Sequence, residues 1–286
     1  MTAMSPIALL LVLTSCALAV DDEDLEAPPD DGETISEPDG VPWVNKTLSP
    51  VSGANNQVQI NSALVGGGVV RLLPGTYVIS DTIRMTSNST LRGDVGAIIK
   101  LVGDADWPKY KPLIQGQSVS NVRITGLAID GNGSYNKDSN GVTTVCGKYF
   151  YTLVQFTSSK NIEVDHSSLG NNWNDVLKLS SSSNVRFHHN TVRREGHDVV
   201  YAIKSQSVYV YDNDIKIACN SGARADGTKP MYIYRNTITR DGGGYAGIEI
   251  QGASEVWACS NNIYGLLGPK IWNISGAPVH TSGCPQ

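Results

Sequence analysis

Lys178, Tyr201 and Arg224 stand 23 residues apart; Gln155 precedes them at the same interval and Glu249 follows at 25. These side chains can do acid–base work on a substrate that carries its own negative charge. The Arg224 guanidinium can fork onto a carboxylate. The Tyr201 phenol can give or take a proton at a bridging oxygen, and Lys178 or Lys204 beside them can serve as base. Gln155, Glu249 and Asn174 would then be substrate contacts. A second group repeats at the same interval: Asp175 and Asp198, with His197 and Glu195 close by. Two carboxylates about 5 Å apart repel by roughly 3 kcal/mol at an effective dielectric of 20, so something must offset them. Calcium held by Asp175, Asp198 and Glu195 would do so. A lysine would also serve, as would a proton on one aspartate, which makes an acid/base pair for glycoside hydrolysis. Plain turn capping by both aspartates is the alternative. His197, in a turn, is a candidate catalytic or substrate contact.

The elements that must position these groups show in the flanking residues. The positions before the series are Val154, Leu177, Val200, Ala223 and Ile248, and those after it are Phe156, Leu179, Ala202, Ala225 and Ile250. Apolar–polar alternation with period two specifies strands. A repeat of about 23 residues specifies a solenoid whose polar members stack roughly 4.8 Å apart on one outer face. A second marker keeps the same beat: Asn190, Asn213, Asn236 and Asn261, with Ser167 one coil earlier. Asparagine tolerates the left-handed region and bonds its neighbours, so these predict a stacked turn ladder. Three strands fill a coil, for example 175–180, 185–189 and 191–193, and the variable loop follows the third. Residues 55–65 read as a short helix plugging the first coil, and the polar stretch 132–150 reads as an inserted loop. Outward aromatic positions (Tyr209, Tyr232 and Trp257; Tyr211 and Tyr234) would stack on sugar rings or lie under the tail 266–286.

Residues 1–19 read as a signal peptide ending in Ala17-Leu18-Ala19, with a bacterial lipobox at Cys16 as the alternative. Ten acidic and no basic residues occupy 21–40, so 20–40 is expected to be disordered, a propeptide or a spacer. Of 22 basic and 27 acidic residues, 41–286 therefore hold 22 and 17, a net of +5, which suits a polyanion. Sequons at Asn45, Asn88, Asn132 and Asn273 favour a secreted glycoprotein. No other segment is apolar enough to span a membrane. Four cysteines remain in the mature chain, enough for two disulfides. A tail laid along a solenoid needs an anchor, which favours Cys259–Cys284 and leaves Cys146–Cys219. A single domain over 41–286 is expected, monomeric, with no nucleic-acid partner.

The stretches 60–94 (INSALVGGGVVRLLPGTYVISDTIRMTSNSTLRGD) and 124–132 (ITGLAIDGN), with the asparagine-turn coils, resemble the right-handed parallel β-helix proteins of the pectate-lyase-like superfamily. The resemblance covers residues 55–265. It implies an all-β, single-stranded parallel β-helix, with substrate lying along the wall that carries Lys178, Tyr201 and Arg224. Polygalacturonase-like hydrolases of this superfamily carry N-T-D, D-D, G-H-G and R-I-K. Here Gly196-His197-Asp198 is a partial echo and R-I-K is missing. The stretch 203–224 (IKSQSVYVYDNDIKIACNSGAR) looks like the Lys/Arg arrangement of alginate and chondroitin lyases, which accompanies a carboxylate-bound calcium. The resemblance therefore implies a secreted β-eliminating lyase on a uronate-containing glycan. In that chemistry a neutralised carboxylate acidifies the C5 proton, a base removes it, and an acid protonates the leaving oxygen. A mannuronan-type C5-epimerase is the second expectation, although its Asp-Pro-His element is absent. A glycoside hydrolase or a non-catalytic glycan-binding protein on the same fold follows.

Overall fold

The computed structural model of the chain describes residues 46–136, 146 and 151–285. The expected signal peptide, the acidic segment, Asn45 and most of the expected inserted loop lie outside the described residues. The rest is a parallel β-helix of three walls. The wall with the candidate site has eight strands: β1 (Ile83–Arg84), β2 (Ile114–Gln117), β3 (Val154–Thr157), β4 (Leu177–Ser180), β5 (Asp198–Ile203), β6 (Ser221–Asp226), β7 (Ala246–Gln251) and β8 (Ile271–Asn273). They pair in parallel in that order. The second wall has ten strands, from Lys46–Leu48 to Val279–His280, and the third has eight, from Gly75–Ile79 to Asn262–Ile263.

The alternation read from the sequence is realised. Val154, Leu177, Val200, Ala223 and Ile248 are fully buried, as are Phe156, Leu179, Ala202, Ala225 and Ile250. They stack coil upon coil in one continuous core, and each removes its apolar surface from water. Helix α1 (Asn56–Leu64) falls where expected and buries Ile60, Ala63 and Leu64. It packs against strands of all three walls. The corner between the second and third walls is the predicted asparagine ladder. Each Oδ1 accepts the backbone N–H one coil earlier, from Ser167 to Asn190 (3.0 Å), Asn190 to Asn213 (2.9 Å), Asn213 to Asn236 and Asn236 to Asn261 (both 3.1 Å). The ladder satisfies donors that the tight turn would otherwise leave unpaired.

Both expected disulfides form, Cys146–Cys219 and Cys259–Cys284. The tail joins the second wall as its last strand. The tail meets the aromatic row at its Trp257 end, and the rest of the row packs on itself. Tyr209 stacks on Tyr232 (5.1 Å), Tyr232 meets Trp257 at a tilt of 31° (4.9 Å), and Trp257 stacks on His280 of the tail strand (4.4 Å). With coils about 4.8 Å apart, the ring faces are taken up by one another rather than presented to a sugar. Asn132 is 5% exposed and its amide donates to Leu101 O, so this sequon is closed in the folded chain, whereas Asn88 is exposed.

Candidate functional site

Parallel pairing sets Gln155 beside Lys178, Lys178 beside Tyr201, Tyr201 beside Arg224, Arg224 beside Glu249 and Glu249 beside Trp272. The expected row therefore exists on one outer face. Its chemistry differs from a cationic strip. The Arg224 guanidinium lies over the Tyr201 ring, 4.4 Å from its centroid. Its NH2 donates to Gln251 Oε1 at 2.8 Å, and its other nitrogens lie 3.5 Å from Asp198 Oδ2 and from Glu249 Oε1. Glu249 is only 2% exposed and accepts from Asn220 (2.7 Å) and Gln251 (2.6 Å). It positions Arg224 from within rather than facing a substrate. Lys178 is the freer cation, its Nζ 3.9 Å from Asp175 Oδ2 and 5.5 Å from the Tyr201 centroid. Burial pushes the Tyr201 phenol up to about 12, and its hydroxyl donates to Asp226 Oδ2 at 3.2 Å. Lys204 lies outside the row, exposed in the turn after β5. Gln155 is half-buried at the far end, its amide 3.4 Å from Thr157 Oγ1. Asn174 is buried, its amide 3.4 Å from Thr152 Oγ1.

Beside this row, at the start of β5 and just before β4, lies the second group. His197 Nδ1 sits 2.8 Å from Asp175 Oδ1 and 3.2 Å from Asp198 Oδ2. The Asp198 backbone N–H donates to Asp175 Oδ1 at 3.3 Å. Asp198 Oδ1 accepts from Ser221 Oγ (2.5 Å) and Asn220 Nδ2 (2.8 Å). Gly196 makes the approach possible, because a Cβ there would collide with the Trp173 backbone of the preceding coil. Both aspartates are at most 1% exposed. Burial, reinforced by the Asp175 charge and opposed by His197 and Arg224, pushes the Asp198 carboxyl up to about 6. Burial alone would lower the His197 pKa; its hydrogen bond to Asp175 and the two carboxylate charges outweigh that and hold it above the ordinary value. Asp175 Oδ2 and Asp198 Oδ2 are buried without a hydrogen bond.

The calcium set fails a test of fit. Glu195 is fully buried and turned away, its oxygens accepting the backbone N–H groups of Ala218 (2.8 Å) and Cys219 (2.9 Å). Burial pushes it up to about 8 despite those bonds. The aspartates face an imidazole, a guanidinium, an amide and a hydroxyl, whereas calcium needs six to eight oxygens. The residues do not fit that ion.

Asn220, Ser221, Asp226 and Gln251 were not singled out by the sequence reading. Asp226 and Gln251 had a signal, since each lies two residues beyond a member of the row and so on the same face. Asn220 had none, because it sits in the variable loop.

Residues 72–239 match the sequence model of Glycosyl hydrolases family 28. No curated protein matches the chain. Among solved structures, it is similar to a hyperthermoactive exopolygalacturonase from Thermotoga maritima. The identity is 15% and the TM-score 0.61, covering 84% of this chain and 69% of that one. It is also similar to jun a 1, the major allergen from cedar pollen, at 15% identity and a TM-score of 0.55, covering 85% of this chain and 80% of the other. At such identities the likeness is one of fold.

Proposed function

The chain belongs to family 28 of the glycosyl hydrolases, and from that premise we propose that it is an extracellular hydrolase of a uronate-containing, pectin-type polysaccharide. The β-eliminating lyase expected from the Lys178–Tyr201–Arg224 row is thereby corrected, because the family match spans that row. The correction has a physical side too: Arg224 is spent on Glu249, Gln251 and Asp198, so it is a poor clamp for a substrate carboxylate. The chain matches the hydrolase family without an R-I-K element.

The observation that carries the reading is the Asp175–His197–Asp198 cluster beside the open wall. One ligand atom from each lies within 4.8 Å of the others. Two carboxyls that flank a sugar and a water from opposite sides stand roughly 6.5–9.5 Å apart. This closer pair therefore acts together on one partner, a water that its two unbonded oxygens can accept from. His197, better exposed than either aspartate, supplies the proton to the leaving oxygen. Its raised pKa keeps it charged as pH rises out of the acidic range toward neutrality. Lys178 binds a uronate carboxylate, and the Tyr201 edge borders the sugar. Two disulfides support an oxidising compartment, and no described helix is long and apolar enough to cross a membrane.

The test is digestion of pectic polysaccharides. Wild type should release reducing ends with no ultraviolet chromophore of an unsaturated uronate. Asp198→Asn and His197→Ala should each lower the rate by about 10²–10⁴. A chromophore in the wild-type product, or undiminished rates in both variants, would sink the reading.

A further inference from the structure

The site wall carries three outward rows, one residue per strand. At the strand starts, or just before them, stand Asp175, Asp198 and Ser221. The middle row is Gln155, Lys178, Tyr201, Arg224 and Glu249. The third, two residues further along, is Thr157, Ser180, Ile203, Asp226 and Gln251. This third row contains no cation, and its one charge, Asp226, is negative. Asp226 is half-buried, and its described polar contact is the Tyr201 hydroxyl at 3.2 Å. Lys204, in the turn that follows Ile203, donates its backbone N–H to the Asp226 carbonyl, and its side chain is exposed. Arg224, two residues earlier on the same strand, faces Asp198, Glu249 and Gln251, and the Asp226 charge acts on it less than those of Asp198 and Glu249. The open cation, Lys178, lies two coils from Asp226, about 10 Å away.

A sugar carboxylate is therefore welcome on one side of the site and repelled on the other. A sugar hydroxyl is the reverse: the Asp226 carboxylate accepts several hydroxyl hydrogens, Ser180 can donate or accept, and Ile203 offers an apolar edge to a ring face. We propose that the subsite bounded by Tyr201, Ile203 and Asp226 receives an uncharged sugar while the uronate lies over Lys178, so that the substrate is a glycan in which neutral and acidic sugars adjoin. This rests on the hydrolase reading above. It names Asp226 as a specificity-determining residue and departs from a homopolymer of uronates as the preferred substrate.

The experiment compares polygalacturonate, a backbone alternating rhamnose and galacturonate, and a neutral galactan. Hydrolysis is read as kcat/KM from reducing ends, and binding of matched oligosaccharides by calorimetry. The alternating glycan should exceed polygalacturonate by at least about tenfold, the size expected for one partly screened like-charge contact. Asp226→Asn should narrow that ratio and Asp226→Lys should invert it. Preference of the wild type for polygalacturonate, or a ratio unmoved by Asp226→Asn, overturns the proposal. Preference for the galactan overturns the role given to Lys178. If none of the three is cleaved, the hydrolase reading falls. The binding arm then still decides the subsite: a preference for the alternating oligosaccharide that Asp226→Asn erases upholds it, and equal binding overturns it.

Discussion

Asp175→Asn should lower the pKa of His197, and the size follows from the geometry. The imidazole Nδ1 lies 2.8 Å from Asp175 Oδ1. A unit charge pair at that distance is worth roughly 6 kcal/mol at an effective dielectric of 20, an upper bound on what Asp175 contributes to the charged imidazole. Solvent reaches His197, and Asp198 remains 3.2 Å away, so the pKa should fall by only part of what that full interaction would give. The assay is a nitrogen-edited NMR titration of the imidazoles. The chain has five histidines, and His166, His188, His189 and His280, on the second wall or its corners, serve as internal controls. The sign carries through to stability. A histidine whose folded pKa is raised contributes stability that is complete below its unfolded pKa of about 6.5 and is lost as pH rises through the folded value. Asp175→Asn should therefore destabilise the fold more at pH ~5 than at pH ~9. A His197 pKa within about 0.3 units of wild type would refute the claim that Asp175 charges this imidazole.

Arg224→Met should leave Glu249 and Asp198 as buried carboxylates without their cation, costing about 3 kcal/mol in urea unfolding; Arg224→Met with Glu249→Gln should recover much of that. Asp165 tests acid stability. Burial would raise its carboxyl, but the Arg123 fork (2.6 and 2.9 Å) and His166 overcome this and bring it down to about 2. The resulting stability, about 2 kcal/mol, is present above the ordinary carboxylate pKa of about 3.9 and lost as pH falls through about 2. Arg123→Ala should therefore move the acid-unfolding midpoint upward, as followed by circular dichroism. A calcium chelator should leave hydrolysis unchanged, since the donors around Asp175 and Asp198 do not suit that ion; loss of activity restored by calcium would overturn the point.

The fold was legible because a solenoid writes its geometry as a period. Spacing of 23 sets register, alternation sets which side chains point inward, and Asn190, Asn213 and Asn236 mark the corner. The neighbours Lys178, Tyr201 and Arg224 followed from that alone. Their chemistry did not. Whether Arg224 is available depends on Gln251, Glu249 and Asn220. The first two approach through strand register, but Asn220 reaches the site from a loop of no fixed length. Glu195 looked like a ligand because it lies three residues from Asp198 in sequence. Its carboxylate instead turns to the backbone of Ala218 and Cys219, a choice fixed by burial rather than by residue type. The aromatic positions were found correctly, yet which ring faces are exposed depends on side-chain tilt, which no pattern of residue types records.

The interval of 25 that breaks the rhythm after Arg224 has a use. The connection between Ile217 and Ser221 has three residues, whereas that between Arg240 and Ala246 has five and holds Gly242, Gly243 and Gly244. Arg224 still meets Glu249, and Ile215 still meets Ile238. One corner of the tube thus behaves as an expansion joint: a coil can grow there while every rung stays level. In the 241–245 connection chain length can reshape the rim of the cleft, whereas one and two coils earlier the same corner holds Asn220 and His197 and has no such freedom.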